Sequence, residues 1–203
     1  MEASQSIQLM QGTEEEESGE EGHEGHNHSH ELDPHVWLDP VLAQKEVTAI
    51  RDALIKEYPE KKAVFEKNTA AYLEKLTALD KEYQAAFAGA KNRTFVTQHA
   101  AFGYLAKQYG LTQEPIAGIS PDQEPSPSRL AELKKYIKTN NVSVIYFEAS
   151  ASTKVAKTLA DETGVELAVL NPLESLTQKE QEAGENYVSV MKENLAALQK
   201  SIH

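Results

Sequence analysis

Residues 143–170 read SVIYFEASASTKVAKTLADETGVELAVL. Residues 143–147 form a β-branched and aromatic run of strand length, residues 152–163 have helical spacing and stop at Gly164, and residues 166–170 (ELAVL) are a second short apolar run. The alternation continues upstream. Residues 94–98 (TFVTQ) read as a strand, 101–109 as a helix stopped by Gly110, 113–116 as a second strand, and Ser126-Pro127 opens a helix to about Asn140. Downstream, Thr177-Gln178-Lys179-Glu180 is a capping-box sequence that predicts one final helix, with Tyr187, Met191, Leu195, Leu198 and Ile202 on a single stripe. Strands and helices alternating at these lengths imply an α/β fold with a mostly parallel sheet covered by helices on both faces.

Before the sheet the rhythm is helical. Asp39-Pro40 is a helix start, an acid at the cap and a proline at the first helical position. Val47, Ile50, Leu54 and Tyr58 then follow at spacings of three and four up to Pro59. A longer helix is predicted over 60–88, with Phe65, Tyr72, Leu76, Leu79, Tyr83 and Phe87 on one face and Gly89 at its end. At 1.5 Å per residue it would run ~40 Å, more than one small domain needs. The chain therefore divides into residues 1–31, a helical segment 32–90 and an α/β lobe 91–203. The tract 11–31, QGTEEEESGEEGHEGHNHSHE, has no apolar residue to offset the entropy of ordering and reads as a mobile loop.

Composition excludes several functions. The 203 residues carry a net charge of −12, which argues against a nucleic-acid partner. The charge is local: residues 1–31 hold nine of the 32 acids and no Lys or Arg, leaving 23 acids against 20 bases elsewhere. There is no Cys, so disulfides, thiolate metal sites and thiol catalysis are out. No run of 18 apolar residues provides a helical membrane span. The start, Met1-Glu2-Ala3-Ser4, is too polar and acidic for a signal peptide. No GxGxxG, GxxxxGK[ST] or HExxH occurs, and Gly118-Ile119-Ser120-Pro121-Asp122 fails the last position of a GxSxG elbow.

The informative residues are histidines. His23, His26, His28 and His30, spaced among glycines and glutamates, have the composition of a low-specificity chelator of divalent ions, or of an ordinary solvated loop. His203 at the last position reads as a frayed end or a tag remnant. His35 and His99 sit in rigid contexts. His35 lies between Asp33-Pro34 and the Asp39-capped helix. His99 directly follows the strand 94–98, and Glu148 directly follows the strand 143–147. Both of the latter are therefore at carboxyl ends of strands in one parallel sheet, the edge where open α/β sheets bind ligands. A carboxylate at the end of an apolar run is costly unless paired or bound to a cation. Two imidazoles and one carboxylate suit tetrahedral zinc, whereas manganese favours more oxygen donors. The candidate metal ligands are thus His35, His99 and Glu148, the plain alternative being a surface histidine in a turn and a solvated helix-start or loop acid.

Five segments in order carry a family resemblance: ELDPHVWLDP (31–40), FVTQHAAFGYLAKQYGL (95–111), GISPDQEPSPSRLAEL (118–133), VIYFEASAS (144–152) and VLNPLESL (169–176), preceded by the His-rich acidic tract. Together they resemble the solute-binding lipoproteins of bacterial zinc-uptake ABC transporters, the AdcA/ZnuA type. The resemblance implies two α/β lobes joined by a long backbone helix, matched by 60–88, with the metal between the lobes. It implies zinc as the ion, His35 and His99 as ligands, and Glu148 as the carboxylate ligand. Manganese-type relatives carry Glu where His99 stands. It further implies a lipid-anchored, extracytoplasmic parent, an ABC permease as partner and no organic substrate. One further histidine ligand would lie upstream of this chain's start. Such a start would weaken zinc binding and leave apolar helix faces uncovered, inviting dimerisation. Two other readings remain at this point: a manganese-type receptor or adhesin of the same fold, and a zinc hydrolase with Glu148 as general base to a metal-bound water.

Overall fold

A computed structural model describes residues 2–12, 32–120, 125–149 and 152–203. The described residues form four strands, β1 (Thr94–Thr97), β2 (Thr112–Pro115), β3 (Val144–Phe147) and β4 (Glu166–Val169). They form one sheet in the order β2-β1-β3-β4, and every neighbouring pair is parallel. The chain leaves β1 to one side for β2 and returns to its other side for β3. The crevice between the carboxyl ends of β1 and β3 is therefore the topological switch point of the sheet.

Side chains alternate across the strands, as period-two geometry demands. Phe95, Val144, Tyr146 and Ala168 face one core, which they share with Leu79, Tyr83 and Phe87 of helix α2 (Lys62–Phe87), Leu105 of α3 (Gly103–Tyr109) and Met191 and Leu198 of α7 (Tyr187–Leu198). Val96 and Ile145 face the other core, with Leu133 and Ile137 of α4 (Pro127–Thr139) and Ala156, Leu159 and Ala160 of α5 (Lys154–Thr163). Both faces are covered, which is why the strands read as continuous apolar runs.

Helix α1 (Pro40–Glu57) is capped by Asp39, whose side chain accepts from the Val41 amide, and it packs along α2. Between them Pro59–Lys61 makes one 3-10 turn, so the long helix begins two residues later than the sequence pattern suggests. Its 26 residues run about 39 Å. Arg93 fastens its far end to the lobe: the guanidinium donates to the carbonyls of Phe87, Tyr109 and Gly110. Tyr83 on the same helix donates from its buried hydroxyl to the Met191 carbonyl at 2.6 Å.

The C-terminal segment differs from expectation. One helix was predicted from the Thr177 capping box. The box forms, but the helix it opens, α6 (Gln178–Glu182), is short, and Gly184 follows at φ 77°. A second capping box, Asn186 with Ser189, then starts α7. An asparagine competes with helix continuation and a glycine takes the left-handed bend, so two segments replace one. At the other end, residues 7–10 do not form a strand. Gln11 bridges Leu32 antiparallel, and Ile7 is buried with Val36 and Tyr104. Among the described residues no helix is long and apolar enough to cross a membrane.

Candidate metal centre

His99 follows β1 and is fully buried. Its Nδ1 is hydrogen-bonded to Oε1 of Glu148, which follows β3 and is itself 3% exposed. A carboxylate can only accept here, so Nδ1 donates to Glu148, which leaves Nε2 as the nitrogen whose lone pair the neutral ring can offer to a metal. That Nε2 is buried and makes no hydrogen bond. Glu174 Oε1 lies 3.3 Å away, outside hydrogen-bond geometry. A buried polar atom without a partner is costly, and a cation at this spot would remove the cost.

His35 is held in the same manner from the other side of the cleft. It precedes a 3-10 turn, Val36–Leu38, that leads into α1. Asp33 Oδ1 accepts from the His35 amide at 2.9 Å and from Nδ1 at 2.7 Å. Asp33 is only 4% exposed, and Gly103 leaves room for it: a Cβ there would sit 3.1 Å from Asp33 Oδ2. His35 Nε2 points the same way as that of His99 and lies 3.2 Å from Glu174 Oε1. The two rings stand edge-on with centroids 5.4 Å apart. Burial alone would lower the His35 pKa. The hydrogen bond and charge of Asp33, joined by those of Glu174, outweigh burial and hold it above the ordinary imidazole value.

The three groups that converge are His35, His99 and Glu174, whose ligand atoms all lie within 4.8 Å of one another. Metal bonds of 2.0–2.1 Å in a tetrahedron place neighbouring ligand atoms about 3.3 Å apart. The two imidazole-to-Glu174 spacings, 3.2 and 3.3 Å, match that edge. The donor set is two nitrogens and one carboxylate, which suits zinc.

The carboxylate that joins the two histidines in this geometry is Glu174, not Glu148. Glu148 sits at the strand end where the sequence placed it, but it occupies the Nδ1 side of His99, turned away from the cluster. The physical reason is the imidazole's geometry: its two nitrogens diverge, so a group bonded to Nδ1 cannot also meet the ion on Nε2. Glu148 stands on His99 where carboxylates commonly stand behind metal-bound histidines. Sequence reasoning missed Glu174. Its signal in the sequence is position: Glu174 lies five residues past the end of β4, the strand beside β3, on the same carboxyl edge of the sheet. His23, His26, His28 and His30 lie outside the described residues.

The family described as "ZnuA: Zinc-uptake complex component A periplasmic" matches residues 1–201. The chain belongs to the ZnuA family. The zinc-binding lipoprotein AdcA of Streptococcus pneumoniae serotype 4 is 56% identical over 201 residues, 99% of this chain and 40% of that protein. The high-affinity zinc uptake system protein ZnuA of Bacillus subtilis is 57% identical over 200 residues, 98% of this chain and 62% of that protein. The chain therefore spans about two-fifths to three-fifths of the length of these relatives. The crystal structure of the Zn(II)-bound ZnuA-like domain of S. pneumoniae AdcA superposes with a TM-score of 0.78 at 51% identity, covering 99% of this chain and 69% of that one. The α/β class with a parallel sheet, expected from the sequence, is the one observed.

Proposed function

We propose that this chain is the metal-holding portion of an extracytoplasmic zinc receptor, which captures Zn2+ and hands it to an ABC permease. The observation that carries the reading is the convergence of ligand atoms of His35, His99 and Glu174 within 4.8 Å of one another, with Glu174 Oε1 3.2 and 3.3 Å from the two Nε2 atoms and each imidazole backed by a buried carboxylate. Three protein donors leave a fourth position for water or a further ligand. The ion is cargo, so the site needs affinity with a route to release. One exposed donor beside two buried ones supplies that asymmetry, since the Glu174 side chain is 37% exposed and those of the histidines are 3% and 0%. Residues 32–90 and 91–203 are read as two parts that supply His35 and the strand-end groups respectively.

Catalysis is not part of this reading. A hydrolase would need a free carboxylate beside metal-bound water, and Glu148 is engaged by His99. A manganese site is disfavoured by two imidazoles in a three-donor set. The histidines of 23–30 are read as an accessory collector: their segment is pinned at its base by the Gln11–Leu32 bridge and the Asp33 amide bond to Met10, beside His35. Zinc titration by chelator competition tests the whole. His35→Ala, His99→Ala and Glu174→Ala are each expected to weaken binding by tenfold or more, and removal of residues 13–31 to leave it nearly unchanged. Full affinity in the three point variants would overturn the reading.

A further inference from the structure

We propose that Asn171 and Asn194 are positioning residues for the Glu174 carboxylate, acting through a left-handed turn at Leu173; the inference rests on the reading of Glu174 as a zinc ligand. The two histidines are fixed by burial and by their own carboxylates. Glu174 has neither support, being on a loop after β4 with its side chain 37% exposed. Apart from the 3.2 Å contact with His35 Nε2, its aim is set by the backbone that carries it.

The backbone beneath it is fastened by side chains. Asn194, 2% exposed on α7, grips Asn171 from both sides: its Oδ1 accepts from the Asn171 amide at 2.8 Å and its Nδ2 donates to the Asn171 carbonyl at 2.7 Å. The Asn171 side chain then accepts from the Leu173 amide at 2.8 Å, an Asx turn, while its Nδ2 donates to Glu180 Oε1 at 3.1 Å. Between these residues the Pro172 carbonyl accepts from the Trp37 indole at 2.9 Å, which ties the loop to the segment that carries His35. Leu173 is thereby held at φ 55°. The described residues contain one other non-glycine at positive φ, Asn141, of a type that tolerates it; leucine does not. Unfavourable conformations persist where the surroundings over-determine them, and they gather at ligand-holding positions. The next residue is Glu174. A relaxed Leu173 with negative φ would turn the following peptide and swing the Glu174 side chain off the two Nε2 atoms.

The test is a double-mutant cycle read by zinc affinity and melting temperature. Asn171→Ala removes the Oδ1 acceptor and is expected to weaken zinc binding about tenfold, the usual effect of losing a residue that orients a ligand. The same substitution made in Glu174→Ala is expected to change affinity by less than about twofold, because no carboxylate remains to be aimed. Leu173→Val, whose branched side chain disfavours the left-handed region, should repeat the pattern without deleting a hydrogen-bonding group, and serves if Asn171→Ala does not fold. Equal loss in both backgrounds, or no loss in the parent chain, overturns the proposal while Glu174→Ala alone still confirms the ligand. If Glu174→Ala leaves affinity unchanged, the site reading itself fails and this inference falls with it.

Discussion

His35 donates from Nδ1 to Asp33 and presents Nε2 to Glu174 at 3.2 Å, so its protonated form satisfies both carboxylates. Zinc needs the Nε2 lone pair and must displace that proton. The sign follows from the raised pKa. In the metal-free chain the stabilisation from this cluster is full below the ordinary value of 6.5 and fades as pH rises through the elevated one. Zinc binding runs the opposite way. The rise in melting temperature caused by a fixed excess of zinc should therefore grow between pH 6 and pH 8; a rise that shrinks over that range contradicts the assignment of His35. Glu148 acts on His99 in a comparable role. Glu148→Ala is expected to lower zinc affinity 10- to 100-fold, and Glu148→Gln much less, because an amide oxygen still accepts from Nδ1. Equal losses in the two variants, measured by competition titration, would point instead to direct coordination by Glu148. At this scale the sequence showed both histidines, since Pro34 and a strand end are legible rigid contexts. It did not show which carboxylate joins them in the cluster, because that depends on which side of an imidazole ring each acid lies. Nor did it show the Asn194 clamp, which joins residues 23 positions apart through backbone atoms.

Element boundaries followed from local chemistry. Pro40, Gly110, Pro127 and Gly164 each start or stop a helix where the pattern put the change. The break between α6 and α7 escaped because the Tyr187–Leu198 stripe continues in helical register past it, and periodicity outweighed Gly184 and Asn186. The α1 start carries its own prediction. Burial raises the Asp39 pKa to about 6, with the charge of Asp80 adding to it and the amides of Val41 and Leu42 opposing. An acid whose folded pKa is raised contributes stability in its protonated form, and that contribution is lost as pH rises from about 4 through about 6. Asn caps a helix as well as Asp does and has no charge to desolvate. Asp39→Asn should therefore match the parent in urea denaturation near pH 4 and exceed it by ~1–3 kcal/mol at pH 8. Equal stability at pH 8 would show that the cap charge is not under strain.

For the whole molecule, the strand order sets the result. An order of β2-β1-β3-β4 opens the crevice beside His99 and Glu148, the loop after β4 brings Glu174 across it, and the segment before α1 closes it with His35. Helix α2, fixed by Arg93 and Tyr83, keeps the segment bearing α1 attached to the lobe. This arrangement was legible only in outline, because strand order is a tertiary property that strand–helix alternation leaves open. The direct check is a crystal structure of the chain with zinc, the ion located by its anomalous signal. One zinc is expected, bonded at about 2.0–2.2 Å to His35 Nε2, His99 Nε2 and a Glu174 oxygen, with Glu148 still on His99 Nδ1. A zinc bonded to Glu148, or one that leaves Glu174 free in solvent, would contradict it.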